Sequence, residues 1–305
     1  MASTPAELPP LRTPRGRPPE LEDGLNRFIY HPLAHRLALL LRPTGVSPNA
    51  VSVLGMLLVW GAAAAYVGLA WPQSVAIGFT LHLAWHVVDG ADGDLARLTG
   101  KSSPTGELVD GVCDYAGHAP IYIGLAFILQ GEIGWWAWPL AAASAASHSA
   151  QTNHAESQRR FYLWWVYGRP WLKHAENADD DVFRGSNWFS LTFGWMARLY
   201  LQLVSLMTPY AAAIDAAVEE ARGDPERRRR IADLVRRSSR HALTFQKLLG
   251  PNPRTIILGV SMAFGSPLYF FLAELVLLNL LLAASVRHHN EVGRRLARKL
   301  GRGDG

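Results

Sequence analysis

Four aspartates stand within a strongly apolar part of the chain, where carboxylates are rare and costly. They lie between Val87 and Ala116, and they are Asp89, Asp92, Asp110 and Asp114. Because Arg97 and Lys101 are the nearby basic residues, four carboxylates would repel one another unless cations lay between them. The sequence therefore predicts a divalent metal site at the mouth of a helical bundle.

The spacing of these acids brings them together if both segments are helices. Residues three, four or seven apart share a helix face, so each pair of aspartates lies on one face. Two antiparallel helices joined by the polar connection 99–104 would place all four acids near one membrane surface. Ligands that offer only oxygen select hard cations such as Mg²⁺, Mn²⁺ or Ca²⁺. Asp94 lies well round the helix from Asp89, and we expect it to be a solvated acid.

Small and basic residues accompany the acids. Gly93, Ala96 and Gly106 leave room for a ligand to approach the backbone, and Arg97 and Lys101 offer positive charge to a phosphate. Arg97 has an alternative role as a positive-inside anchor. If the aspartates were only helix-end acids exposed to water, their spacing and these small residues would be a coincidence.

Composition and charge indicate a membrane protein with polar flanks. The chain has 305 residues, of which 49% are hydrophobic and 18% charged, and its mean hydropathy is only +0.05 because apolar and polar runs alternate. The net charge is +5, with arginines clustered beside apolar runs, which favours lipid head groups over nucleic acid as the partner. Cys113 is the sole cysteine, which excludes an intrachain disulfide and a cysteine-based zinc site. We expect no cleavable signal peptide.

The hydropathy pattern predicts an all-α, polytopic membrane protein with a bundle of six transmembrane helices. Residues 25–41 mix apolar and basic residues at helical spacing, which predicts an N-terminal amphipathic helix on the membrane surface; an ordinary soluble amphipathic helix is the alternative. Spans one to three are predicted at 50–69, 74–98 and 105–129. The fourth starts near Trp135 and ends in the polar stretch 144–160. Spans five and six lie at 255–265 and 268–286, and the fifth is short.

Between spans four and five lies a long insertion, residues 159–253. Trp188 to Tyr210 is apolar enough to cross a membrane, but the basic run from Arg227 to Arg240 would then lie opposite the other basic loops, against the positive-inside bias. We therefore predict amphipathic helices in the cytosol or at the interface, with Arg227 to Arg230 solvated or touching lipid head groups. The predicted divisions are a disordered cytosolic tail 1–24, the interfacial helix and four spans 25–158, the insertion 159–253, two spans 254–290 and a basic tail 291–305.

The acids and small residues together resemble the signature of the CDP-alcohol phosphatidyltransferase family. In that pattern Asp is followed three residues on by Asp-Gly, then by Ala-Arg, and later by Gly and two Asp at four-residue steps. The matching positions are Asp89, Asp92, Gly93, Ala96, Arg97, Gly106, Asp110 and Asp114. The interfacial helix and Pro48-Asn49 are also similar to the family, and six spans is its usual number. The insertion 159–253 is unlike its smaller members.

The resemblance implies a membrane enzyme that depends on two Mg²⁺ or Mn²⁺ ions. It would transfer a phosphatidyl-type or phosphoalcohol group from a CDP-linked donor to an alcohol and release CMP. By the same resemblance, Asp89, Asp92 and Asp110 hold the metal ions with Asp114 at their edge, and Asp114 is the general base. The nucleotide and diphosphate pocket would consist of Gly93, Ala96, Arg97 and Gly106. A homodimer is implied by the resemblance alone.

Polar residues near the cytosolic end of the fourth span are candidates for the acceptor pocket. His148 and Gln151 are three residues apart, as are Gln151 and His154, so they could line one wall, with Arg159 nearby. The alternative is a helix that leaves the bilayer and meets water. His118, one turn beyond Asp114, could orient that base or make an ordinary hydrogen bond inside the bundle.

These interpretations favour one function and leave two alternatives. The favoured function is a multi-pass enzyme of phospholipid biosynthesis in the cytoplasmic (inner) membrane, which transfers a phosphatidyl group from CDP-diacylglycerol to a small alcohol, polyol or polyol phosphate on the cytosolic side. In the first alternative the donor and acceptor are exchanged, so that a soluble CDP-alcohol donates its head group to a lipid hydroxyl. The second is a divalent-cation transporter, which would spread its acids through the membrane depth, whereas these acids cluster towards one end.

Overall fold

A computed structural model describes residues 17–177, 183, 185 and 188–301. All regular structure in these residues is helical, which confirms the predicted all-α class. In chain order the α-helices are α1 His31–Leu41, α2 Pro48–Gly68, α3 Gln73–Thr99, α4 Pro104–Ile133, α5 Ala137–Tyr167, α6 Leu172–Asn177, α7 Trp188–Met207, α8 Ala211–Glu220, α9 Pro225–Ser238, α10 Arg240–Leu248, α11 Pro251–Ala263, α12 Leu268–Leu272 and α13 Asn279–Gly301. Segments of π-helix precede α1 and α13, at Asn26–Tyr30 and Ala273–Leu278.

The helices that carry the acids are fixed at their ends by local sequence. Ser103 precedes Pro104 and accepts a hydrogen bond from the backbone N–H of Gly106, so it caps the start of α4. Gly100 adopts a left-handed conformation after α3, with φ 66°, and closes that helix. The connection between the two helices is therefore short, and it places the C-terminal end of α3 beside the N-terminal end of α4.

Helices α4 and α5 form an antiparallel pair. Their pairing is traced by hydrogen bonds from Arg160 to Glu107 and from Tyr115 to Asn153. Helix α2 packs against both α3 and α4, and α11 packs against α3 so closely that a Cβ on Gly259 would lie 2.5 Å from the Phe79 ring. The apolar core of this bundle includes Val59, Tyr66, Leu125 and Phe271. Helices α2 to α5 thus form a frame around the acidic ends of α3 and α4.

Among the described residues, three helical stretches are long and apolar enough to cross a membrane, namely Pro48–Gly68, Pro104–Tyr167 and Leu268–Gly301. A fourth is obtained if α7 and the helix from Ala211 to Gly223, which are bent by 99° at their junction, form one broken span. These stretches are consistent with a polytopic membrane protein. The predicted number of six is not confirmed, because the second half of α3 is polar and α11, with 13 residues, spans only about 20 Å of a ~30 Å hydrocarbon core.

The segment before α1 belongs to the folded part of the chain. Leu21 is buried, and the Glu20 carboxylate accepts hydrogen bonds from the hydroxyls of Tyr162 and Tyr167. The prediction of a disordered tail over 1–24 is therefore wrong for residues 17–24, whose polar side chains are paired with the bundle. Residues 1–16 lie outside the described residues.

Helix α1 runs along α3 and has two different faces. Ala34 and Ala38 are fully buried against α3, whereas Leu33 and Leu40 are exposed. The exposed apolar side chains of this helix suit a membrane surface. The interfacial amphipathic helix that the sequence predicts over 25–41 stays a prediction.

The insertion packs against the far end of α5, which continues as a helix to Tyr167. Arg228 is buried and donates hydrogen bonds to the backbone oxygens of Trp164 and Trp165, at 2.8 and 2.5 Å, in the last turn of α5. The prediction that Arg227 to Arg230 are all solvated or at lipid head groups is therefore wrong for Arg228.

The predicted basic tail is helical up to Gly301, and its Leu296 and Leu300 pack against the core formed by α5 and the insertion. Residues 302–305 lie outside the described residues.

Candidate active site

Three aspartates meet at the junction of α3 and α4. Asp89, Asp110 and Asp114 each offer one carboxylate oxygen, and these oxygens lie within 4.8 Å of one another. The side chains are half-buried, so they are accessible from one side. An oxygen-only set of this size fits a hard divalent cation. This cluster could hold a metal ion, as the sequence predicts.

Asp92 has a different environment from the other three acids. Its Oδ2 accepts a hydrogen bond of 2.5 Å from the Ser52 hydroxyl of α2, and its carboxylate also accepts one from the Gly93 backbone. Asp92 still lies close enough to Asp110 for their carboxyl groups to interact. The structure therefore groups three of the four predicted ligands and ties the fourth to α2.

Asp94 is buried, so the prediction of a solvated acid is wrong. Its carboxylate is only 3% exposed; it accepts a hydrogen bond of 3.1 Å from Arg17 and forms an ion pair with Arg97. The N-terminal segment covers this acid and replaces water as its partner. Burial lowers the pKa of the Arg17 guanidinium to about 10, which leaves it charged at neutral pH.

A cavity of about 380 Å³ extends from the three aspartates into the bundle. On the side away from the ends of α3 and α4 it is lined by His82, Trp85, His118, Tyr122, His148 and Thr255. Near the aspartates it meets Glu107, Glu156, Arg159 and Arg160. The insertion contributes a largely apolar wall, which consists of Trp171, Leu172, Met196, Ala197 and Tyr200. The insertion therefore takes part in enclosing the site, a role that sequence reasoning did not assign to it.

The charged rim of the cavity is internally paired. Glu156 accepts hydrogen bonds from Arg159, at 2.7 and 2.6 Å, and from Arg160, at 2.6 Å. Arg160 also donates to Glu107 at 2.9 Å. Two arginines and two glutamates thus balance one another beside the aspartates.

Residues 45–161 match the family model described as CDP-alcohol phosphatidyltransferase. This segment is similar to the CDP-alcohol phosphatidyltransferases. Members of that family are transferases of substituted phosphate groups, which confirms the predicted family and enzyme class. Neither the comparison with curated proteins nor that with solved structures finds a match. The match covers α2 to α4 and most of α5, and it includes every predicted acid.

The residues predicted to hold nucleotide and diphosphate lie near the C-terminal end of α3 and the N-terminal end of α4. Gly93 faces the guanidinium of Arg97, which is itself paired with Asp94, and Gly106 lies in the capped first turn of α4. Within the described part of the chain, the cavity is not lined by Gly93, Ala96, Arg97 or Gly106. Their role in binding the donor stays a prediction.

Of the three predicted acceptor residues, His148 and Arg159 reach the cavity, and Gln151 does not. Gln151 is fully buried; its amide N–H groups donate to the Glu274 backbone oxygen and to Asn279, and its Oε1 accepts from Arg254 at 2.9 Å. His154 is also buried, with its Nε2 3.0 Å from the Ser285 hydroxyl. The predicted wall of His148, Gln151 and His154 is therefore not formed. Residues three apart on a helix differ in direction by roughly 60°, and over two such steps the difference doubles.

Glu274 is a polar centre that sequence reasoning missed. Its carboxylate is fully buried and accepts hydrogen bonds from Tyr122, Ser144 and His148, and Arg254 lies 3.6 Å away. A lone glutamate in the apolar run 268–286 was the available signal, since an acid at membrane depth indicates function or a buried pair.

His118 lies one turn beyond Asp114, as the sequence places it. Its Nδ1 donates to the backbone oxygen of Asp114 at 2.9 Å, so it contacts that residue's main chain and not its carboxylate.

Proposed function

We propose that this protein transfers a phosphatidyl group from CDP-diacylglycerol to a small alcohol or polyol and releases CMP. The observation that supports this most strongly is that Asp89, Asp110 and Asp114 cluster at a cavity, within the segment that matches the CDP-alcohol phosphatidyltransferase family. The family implies a CDP-linked substrate and an alcohol acceptor. The donor and the acceptor named here are our proposal.

Asp89, Asp92 and Asp110 would hold two Mg²⁺ or Mn²⁺ ions, with Asp114 at their edge. When bound, these ions would neutralise the diphosphate and stabilise the departing CMP. The oxygen-only donor set supports this assignment. Ser52 would keep the Asp92 carboxylate in place from the neighbouring helix α2.

Asp114 would act as the general base. Its carboxylate oxygen would take the proton from the acceptor hydroxyl as the oxygen attacks the phosphorus that bears the diacylglycerol. The bond from that phosphorus to the bridging oxygen would break, and CMP would leave with the bridging oxygen. His118 would position this residue through its hydrogen bond to the Asp114 backbone oxygen.

The wall formed by the insertion supports a lipid substrate at this site. Trp171, Leu172 and Met196 bring apolar surface to a cavity whose other end is acidic. A diacylglycerol moiety beside the reacting phosphate needs such a surface, whether it belongs to the donor or to the acceptor.

We further propose six crossings of the cytoplasmic membrane and an active site that opens to the cytosol, which would place the basic segments on one side.

The test is CMP release by the purified protein from labelled CDP-diacylglycerol and a panel of alcohols, with the lipid products separated by thin-layer chromatography. The proposal predicts CMP and a new phospholipid with at least one alcohol. In a second arm, labelled soluble CDP-alcohols are supplied with diacylglycerol, and product in that arm alone would show that the donor and acceptor are reversed. Metal uptake into proteoliposomes without nucleotide, together with no CMP in either arm, would favour the transporter instead.

A further inference from the structure

The cavity of the transferase continues past the aspartates into a chamber lined by imidazoles. The histidine chamber is the part formed by His82, Trp85, His118, Tyr122, His148 and Thr255. His118 follows Asp114 by one helical turn, and His82 precedes Asp89 by two turns on the same face of α3. At ~1.5 Å per residue, His118 lies about 6 Å from Asp114 along α4, and His82 lies about 10 Å from Asp89 along α3. Both histidines lie on the side away from the connection between the two helices. The chamber is therefore of a size to hold a small molecule that touches Asp114.

Two of these histidines have a defined tautomer when neutral. His118 donates its Nδ1–H to the Asp114 backbone oxygen, and the Nδ1 of His148 lies 3.1 Å from the Glu274 carboxylate, which can only accept. In each neutral ring the Nε2 then carries no hydrogen and is an acceptor. These two rings lie 5.8 Å apart and both line the chamber. They suit a ligand that brings hydroxyl donors.

His82 is the clearest sign that a ligand belongs here. It is 4% exposed and lines the chamber, yet neither of its ring nitrogens has a hydrogen-bond partner among the described residues. Its neighbours are the rings of Trp85 and His118, with centroids at 5.6 and 5.5 Å. A buried polar group without a partner is costly, so a ligand that bonds to it would recover this cost.

Arg254 also lines the cavity, and its terminal nitrogens already have oxygen partners. They donate to the Leu249 backbone oxygen and to Gln151, while its Nε makes no hydrogen bond and lies 3.6 Å from the Glu274 carboxylate. The arginines nearer the rim, Arg159 and Arg160, are balanced by glutamates. A phosphate on the acceptor would therefore meet no cation in the described part of the chamber that lacks an acid or an oxygen partner, and burying it there would be costly.

We propose that the histidine chamber binds the acceptor, and that this acceptor is an uncharged alcohol with at least two hydroxyl groups. This rests on the proposed function. One hydroxyl lies beside Asp114 and is the nucleophile. The others donate to the Nε2 atoms of His118 and His148 and bond to the ring of His82.

Matched pairs of acceptors test this chemistry in the detergent-solubilised protein with CDP-diacylglycerol. The pairs are glycerol with glycerol 3-phosphate and inositol with inositol monophosphate, and CMP release gives kcat/KM for each. The uncharged member is expected to be better by about tenfold or more, the factor that one unpaired buried polar group brings. Preference for the phosphorylated member, or turnover only when a soluble CDP-alcohol is supplied with diacylglycerol, would overturn the proposal.

A variant of His82 separates ligand binding from a structural role. His82→Leu should raise the KM for the alcohol about tenfold and leave the KM for CDP-diacylglycerol unchanged, and His82→Gln should recover part of the loss. His154→Leu is the control, since His154 is also buried but bonds to Ser285 and does not line the cavity. Equal changes in both KM values, or in both variants, would show that the ring only supports the fold.

A readout without turnover keeps this inference apart from the proposed reaction. Diethylpyrocarbonate modifies accessible imidazoles, and peptide mass spectrometry of the wild-type protein reports the rate at His82. Glycerol or inositol should slow that modification, whereas their phosphates at equal concentration should not. Protection without CMP release would support the chamber and contradict the reaction; CMP release from a polyol without protection of His82 would contradict the chamber and support the reaction.

Discussion

The hydroxyl of Ser52 lies 2.5 Å from Oδ2 of Asp92, so helix α2 holds an acid that the sequence groups with the metal ligands. The other three acids lie on α3 and α4 and offer oxygens within 4.8 Å of one another. Asp92 is 7% exposed and is fixed by this contact beside Asp110. Ser52 therefore links the first span to the arrangement of the site.

Removal of the Ser52 hydroxyl should weaken the site without unfolding it. A hydrogen bond to a charged group contributes roughly 1.5–3 kcal/mol, so Ser52→Ala is expected to lower kcat about tenfold, with a small change in melting temperature. Steady-state CMP release measures this effect. Ser205→Ala is the control, because the Ser205 hydroxyl donates to the Gln202 backbone oxygen within its own helix and does not line the cavity. Equal activity of the two variants would show that the Ser52 contact has no role in the site.

Asp114→Asn should separate catalysis from binding. The amide cannot take the proton of the acceptor hydroxyl, so turnover is expected to fall by at least about a hundredfold, the contribution typical of a general base. Binding of CDP-diacylglycerol should remain within a few-fold of wild type, as measured by equilibrium binding of labelled donor in the presence of Mn²⁺. Turnover close to that of the wild type would remove Asp114 from the general-base role.

The buried pair of Glu274 and Arg254 predicts a large effect on stability. Glu274→Gln leaves the Arg254 charge without its acid, and breaking such a pair typically costs about 3–5 kcal/mol. Thermal unfolding in detergent should show a clear loss. The double variant Glu274→Gln with Arg254→Met, which removes both charges, should recover part of it. A double variant less stable than the single one would mean that the two charges do not depend on each other.

The six-span topology predicts which side each polar segment faces. In a background with Cys113→Ala, which removes the sole cysteine, single cysteines replace the exposed residues Lys101, Arg229 and Ala70. Lys101→Cys and Arg229→Cys should react with a membrane-impermeant maleimide from the cytosolic side, and Ala70→Cys from the other. If α7 and α8 form one broken span instead, position 229 would be labelled from the side opposite to position 101.

The positions of the helices and the clustering of the aspartates could be predicted from the sequence, because both depend on local periodicity. The predicted first span, 50–69, differs by two residues at most from Pro48–Gly68, and the third was predicted to start one residue after Pro104. Fixed steps of three and four residues also place Asp110 and Asp114 on one face. These features need only propensity, capping and length.

Contacts between distant segments were not accessible in this way. The helix position of Asp94 predicts that it points away from Asp89, but it does not predict Arg17, which lies 77 residues earlier in the chain and bonds to Asp94 where water was expected. Gln151 points to a different side of α5 from His148, and the helical segment that contains Glu274 covers it there. A pattern within one helix fixes a direction, whereas the partner found there depends on the whole fold.

The most direct test of the account is the affinity for Mn²⁺, measured by electron paramagnetic resonance titration of the detergent-solubilised protein with and without CDP-diacylglycerol. If Asp89 and Asp110 hold the metal ions that grip the diphosphate, the wild-type protein binds Mn²⁺ more tightly with the donor present. The double variant Asp89→Asn with Asp110→Asn then loses both the binding and the donor effect. Unchanged Mn²⁺ affinity in that variant would contradict the account.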